Sequence, residues 1–393
     1  MKSTCPTHFR QSTMNSCPAI APNTLAHGHI ARWLVVVIVG ALAACSSTPL
    51  QQSTTPTDSV TREGARWVPV AWQDLPGWNT DTAHAAWPAL LQSCQRSTPS
   101  WTTLCANAQR EQPANDAEMR SWLMRHLQPY RVESLDGGAA GLMTGYFEPL
   151  VDARRRPGGQ YRVARHAPPA DLATRHPYWT REQLQTLPQA QASLRGHEIA
   201  YVADPLDALL LQIQGSGRLR VIEPDGRVRT IRLAYAGNND QPYRSVGRWL
   251  IEKDELQAGQ ATWPAIRDWA QHNPGRIDEL LWANPRYVFF REEPLLDPAL
   301  GPRGAQGVPL TPTRSIAVDP KSVPYGTPVW IDTNEPLSNA PLRRLVLAQD
   351  TGSAIVGAVR ADYFWGWDGD AAEQAGRMRQ PLRMWVLWPR GAR

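Results

Sequence analysis

The sequence predicts a mainly β protein with peripheral helices, laid out as two barrel-like portions. Three observations lead there. Short alternating apolar runs recur after residue 140, the period of strands that bury one face. Two of them, at 219–223 and 228–233, flank Pro224-Asp225-Gly226-Arg227, a hairpin signal. And 35 prolines in 393 residues disfavour long helices, because proline lacks the amide donor and clashes with the preceding turn.

The chain begins with a segment that is not part of that fold. Residues 33–44 are an unbroken apolar run preceded by Arg32, the length of a signal-peptide core and short of the about 20 residues a bilayer span needs. The run ends in Leu42-Ala43-Ala44-Cys45. That resembles a lipobox, in which small residues admit the peptidase and the cysteine thiol receives a diacylglycerol. Residues 1–44 therefore read as a signal peptide, with Met14 as an alternative start, and 45–66 as a lipidated Cys45 followed by a Ser, Thr, Gln and Pro-rich tether. Ser46 and Ser47 fit the pattern of outer-membrane sorting, which gives a lipoprotein facing the periplasm. The alternative is a soluble secreted protein with an incidental Cys45.

Residues 67–135 read as mainly helical. Ala86, Leu90 and Leu91 mark one amphipathic stretch, and Met119, Leu123 and Leu127, four apart, mark another. A strand is expected at 141–149, then the hairpin. Helices are expected at 244–255 and at 262–272, the latter capped by Thr262. Further strands are expected at 286–291, 314–319, 328–332, 345–350 and 384–388. No internal repeat is visible.

Composition narrows the chemistry. Cys5 and Cys17 leave with the leader, so Cys94 and Cys105 remain as an even pair in an oxidising compartment; a structural disulfide and two free thiols are both open. No spacing of Cys and His suits a metal, and no cofactor motif occurs. The 17 tryptophans exceed the usual share. Core packing explains most of them, although sugars also stack on such rings. The net charge of +5 is spread as scattered arginines, with Arg154-Arg155-Arg156 as the one short run; this gives no nucleic-acid footprint.

Three aspartates, Asp319, Asp350 and Asp362, each end or begin a predicted strand, and strand ends facing loops are where sites are built. Were they to converge, one carboxyl would keep its proton to higher pH, because like charges disfavour ionisation. Such a carboxyl can act as a general acid.

The run from Gly307 to Trp330 (GVPLTPTRSIAVDPKSVPYGTPVW) and the later AQDTGSAIVGAVRADYFWG resemble the three-aspartate domain. TGYFEP at Thr144, QGSG at Gln214, YAGNN at Tyr235 and NPRYVFF at Asn284 extend the likeness to the membrane-bound lytic murein transglycosylase A family, in family order from Met143 to the C-terminus. Ser353 and Val356 depart from the family pattern, and so does the spacing between the second and third aspartates, without touching a carboxylate.

That resemblance implies a double-psi β-barrel made of 67–150 and 285–393, interrupted by a smaller β domain at 151–284, with peptidoglycan glycan strands bound in the groove between them. It maps the catalytic acid onto Asp362, with Asp350 and Asp319 supporting it. Thr144, Tyr146, Gln214, Ser216 and Gly217 would line the groove. It implies cleavage between N-acetylmuramic acid and N-acetylglucosamine that leaves a 1,6-anhydro end. One carboxyl suffices there, because the attacking hydroxyl belongs to the substrate and proximity supplies its effective concentration; ordinary glycosidases use two carboxylates.

Plainer readings stand beside these. Asp319 and Asp350 suit turn caps, Gln214 to Gly217 a simple turn, and Thr144 and Tyr146 barrel-strand positions. Glu148, before Pro149, reads as structural. Asp350-Thr351-Gly352-Ser353 matches an aspartic-protease loop, but such enzymes need two, and one occurs. A non-catalytic wall-binding module and a hydrolase pairing Asp350 with Asp362 are the remaining rivals.

Overall fold

A computed structural model describes residues 58–367 and 369–391. The expected signal peptide, Cys45 and most of the expected tether lie outside the described residues. The chain runs through β1 (Val60–Thr61), β2 (Arg66–Pro69), α1 (Trp87–Cys94), α2 (Thr102–Arg110), α3 (Asp116–His126), β3 (Leu127–Glu133), β4 (Gly141–Tyr146), β5 (Leu150–Arg154) and β6 (Val163–His166). It continues through α4 (Arg181–Thr186), α5 (Pro188–Leu194), β7 (Glu198–Val202), α6 (Pro205–Gln214), β8 (Gly217–Ile222), β9 (Val228–Asn238), α7 (Val246–Glu252), α8 (Trp263–His272) and α9 (Ile277–Trp282). The last elements are β10 (Val288–Pro294), β11 (Ser315–Val318), β12 (Pro328–Asn334), β13 (Pro341–Asp350), β14 (Arg360–Phe364), α10 (Ala371–Arg377) and β15 (Arg379–Pro389).

Nine strands form one sheet in the order β1-β2-β3-β15-β12-β13-β11-β14-β4. The long β15 also turns onto β4, residues 379–382 running antiparallel to 141–144. This second pairing closes a ring, β4-β15-β12-β13-β11-β14, and leaves β1 to β3 as a wing on β15. Closure removes the unpaired edges a flat sheet would expose. Two pairings in the ring, β11 with β13 and β14 with β4, are parallel. The mainly β, barrel-based fold is the one the sequence led us to expect. Inward residues such as Ile316, Val318, Val346, Val386 and Met384 are fully buried. Nine of the 17 tryptophans sit in this core, so packing accounts for most of them.

The segment expected to be mainly helical does hold α1 to α3, but both of its ends are strands. Leu127 was expected to extend the helical row of Met119 and Leu123. Its amide closes the last turn on the carbonyl of Leu123, and the chain then extends, since Pro129 disfavours helical geometry at Gln128 and can donate no helical bond itself. Trp67, fully buried, draws β2 into the sheet, so the last residues of the expected tether lie within the fold. Cys94 at the end of α1 is disulfide-bonded to Cys105 in α2.

The second sheet has the order β10-β9-β8-β5-β7-β6. The β8–β9 hairpin turns where the sequence indicated, with Gly226 at φ 84. Its strands run from Leu150 to Pro294, past the expected insert of 151–284, because all of β10 pairs along β9. The two sheets are joined by a buried ion triad. Glu148, just after β4, has no exposed surface. Its carboxylate accepts from Arg218 on β8 (2.8 Å) and Arg232 on β9 (2.6 Å), and both guanidiniums also donate to the Leu300 carbonyl.

Candidate active site

Asp362 lies in the middle of β14, not at a strand end as the sequence suggested, because strands pair on both sides of it. It faces Ala317 of β11 across an antiparallel pairing and Thr144 of β4 across a parallel one. The Thr144 hydroxyl donates to Asp362 Oδ1 at 2.6 Å. Arg360, two residues earlier on the same strand face, donates from Nη2 to the Thr144 oxygen at 2.9 Å and from Nη1 to the Ala361 carbonyl. Thr144 is thus polarised towards the carboxyl by a cation, and one oxygen of Asp362 is left for a proton.

Burial pushes Asp362 up to about 6; the nearby Asp350 charge adds to the rise, while the Thr144 hydrogen bond and the Arg360 cation oppose it. At pH 7 about a tenth of Asp362 therefore carries a proton, the state a general acid needs. Asp350, the last residue of β13, is also raised by burial, against hydrogen bonds that favour its charged form. It accepts from the Tyr146 hydroxyl (3.0 Å) and the Ala305 amide (2.9 Å). Burial and both carboxylates hold Tyr146 well above the usual phenol range, so it remains a donor. Tyr243, in the loop before α7, is raised by burial, with the Asp362 charge contributing; this places it within electrostatic reach of the carboxyl.

Asp319 is buried and engaged with backbone. It accepts from the amides of Lys321 (3.0 Å) and Gly357 (2.9 Å), tying the turn after β11 to the loop before β14. Asp350 and Asp362 share the Thr144–Tyr146 strand, whereas Asp319 holds the loops behind it.

Beside Asp350 opens a groove of about 500 Å³. Tyr146, Gln214, Ser216 and Asp350 line it, together with Tyr235, Ser353 and three arginines, Arg286, Arg291 and Arg303. Gln214 ends α6 and accepts from the Phe147 amide at 3.1 Å, so it ties the second sheet's helix to the end of β4. Gly217 is buried, and a Cβ there would meet Leu211 Cδ2 at 2.1 Å; its missing side chain serves packing rather than the groove. Glu148 is structural, as expected. Sequence reasoning overlooked Arg360, Tyr243 and the groove arginines. The i, i+2 spacing of Arg360 and Asp362 was the available signal for the first; the others are brought in by tertiary contacts alone.

Fold and site together present a closed barrel with a second sheet across an open groove, and a carboxyl whose raised pKa suits general-acid chemistry. Residues 142–291 match the MltA specific insert domain, and residues 314–388 match the 3D domain. The solved lytic transglycosylase LtgG of Burkholderia pseudomallei is 47% identical, at a TM-score of 0.58, over 86% of this chain and 98% of that one. MltA from Neisseria gonorrhoeae is 31% identical at a TM-score of 0.72, over 86% and 96%. The membrane-bound lytic murein transglycosylase A of Vibrio cholerae is 30% identical over 257 residues, which are 63% of this chain and 65% of that protein. The chain belongs to the MltA family of lytic murein transglycosylases.

Proposed function

We propose that this protein cleaves the β-1,4 bond between N-acetylmuramic acid and N-acetylglucosamine in peptidoglycan and leaves a 1,6-anhydromuramic acid end. The observation that carries the reading is Asp362: a carboxyl raised to about 6 by burial, fixed through one oxygen by Thr144. The relatives, named lytic transglycosylases, support it.

Protonated Asp362 gives its proton to the glycosidic oxygen, and the bond from that oxygen to the muramic anomeric carbon breaks. N-acetylglucosamine leaves with a new hydroxyl. The Asp362 carboxylate then takes the proton of the muramic C6 hydroxyl, whose oxygen bonds the anomeric carbon. Asp362 ends protonated again, and no water is consumed. Thr144 and Arg360 hold the carboxyl in one orientation through both proton transfers. Asp350 and Tyr146 set the field beside it, Asp319 fixes the supporting loops, and Gln214 and Ser216 offer polar groups to the sugars from the groove wall. Gly217 acts by letting Ser216 sit close against α6.

The protein would work from the outer membrane, facing the periplasm, anchored through a lipid on Cys45. Relatives are named membrane-bound, and no helix among the described residues is long and apolar enough to cross a membrane. Mass spectrometry of murein digests tests the chemistry: product masses must sum to that of the strand, and a gain of one water per cut would establish a hydrolase instead. Cys45→Ala should free the protein from washed membranes; retention there would remove the lipid anchor from the account.

A further inference from the structure

The groove wall carries more positive charge than a neutral sugar chain requires. Arg286 precedes β10, Arg291 lies within it and Arg303 comes from the connection to β11, yet all three line one groove. Arg291 is paired with Glu293. Arg286 and Arg303 have no carboxylate partner among the described residues; their head groups donate to the carbonyls of Gln241 (3.1 Å) and Gly307 (3.0 Å). Each retains further N–H donors, since a guanidinium offers five. The groove's one carboxylate, Asp350, is already engaged by Tyr146 and the Ala305 amide. Sugar hydroxyls and acetamido groups are neutral and gain no ion pair from a cation. A planar cation fits a carboxylate.

We infer that Arg286 and Arg303 form a carboxylate-recognition site on the groove wall, which selects glycan bearing acidic substituents over neutral glycan. The inference rests on the proposed glycan-cleaving function and adds a substrate preference to it. Two sources supply the same chemistry: the lactyl carboxylate of muramic acid in strands stripped of peptide, and the carboxylates of the stem peptides in intact strands.

The test measures binding of Asp362→Asn protein, which holds strands without cutting them, to three probes: a chitin hexasaccharide with no carboxylate, stripped glycan strands, and peptide-bearing strands. Adding Arg286→Gln and Arg303→Gln should lower the ratio of acidic to neutral affinity by on the order of fivefold, the scale of two solvent-accessible ion pairs. Arg286→Lys with Arg303→Lys should recover part of it. A fall confined to peptide-bearing strands assigns the stem-peptide carboxylates, a fall confined to stripped strands assigns the free lactyl carboxylate, and a fall on both shows a site that takes either carboxylate. An unchanged ratio, or equal loss on all three probes, overturns the inference. High salt must also erase the ratio in the arginine-containing protein, a reading that does not depend on the glutamine variants folding. Failure to bind any of the three probes would instead count against the glycan-cleaving function itself.

Discussion

Asp362→Asn should make the protein inactive and, at alkaline pH, more stable. The carboxyl's value of about 6 lies some two units above the ordinary 3.8. Each unit corresponds to about 1.4 kcal/mol of preference for the protonated form in the folded state. The pKa is raised on folding, so this contribution to stability is fully present below 3.8 and is lost as pH rises through about 6. Asparagine is neutral throughout and keeps an oxygen for the Thr144 hydroxyl. The ceiling on the gain is thus ~3 kcal/mol, and the partial exposure of Asp362 lowers the expectation to about 1–2 kcal/mol at pH 8. At pH 4 the two proteins should be nearly equal. Urea unfolding of both at pH 4, 6 and 8 reads the difference directly. A variant less stable at pH 8, or a gap that does not change with pH, would refute the claim that burial of a charge raises this carboxyl.

Three further outcomes are expected. Anhydro-product release, measured as kcat/KM, should decline above about pH 6, and Arg360→Met should move that decline to higher pH by removing the cation that opposes Asp362's rise; an unmoved limb would leave Arg360 a packing role only. Glu148→Ala strands two buried guanidiniums and should cost about 3–5 kcal/mol in denaturant unfolding, against which a loss under 1 kcal/mol would speak. Cys105→Ser opens a short loop between α1 and α2 and should cost about 2–3 kcal/mol, checked by comparing thermal melts with and without reductant.

What the sequence displayed and what it hid divide along the range of the contacts. The β8–β9 hairpin could be read because its strands and turn are contiguous and one face is buried, so alternation and turn chemistry agree. The start of β3 could not, since a helical spacing of apolar residues runs unbroken into it and only Pro129 marks the change. Within β14, Arg360 and Asp362 alternate with buried Ala361 and Tyr363, and β4 shows Thr144 and Tyr146 with the same period of two. Each pair is visible alone. Their juxtaposition spans 218 residues from Thr144 to Asp362, and no local pattern specifies it; motif resemblance proposed which residues to bring together but said nothing of Arg360. The parallel register supplies the rest, setting Asp362 opposite Thr144 and Phe364 opposite Tyr146. A slip of one residue would turn β14's carboxyl to the other side of the sheet relative to Thr144. Gly145 bears on that register: a Cβ there would lie 2.8 Å from Trp365 Nε1 and 2.9 Å from the Ala375 backbone. Glycine at 145 therefore lets β4 lie close against the end of β14 and α10, and the close approach holds the threonine and the aspartate side by side.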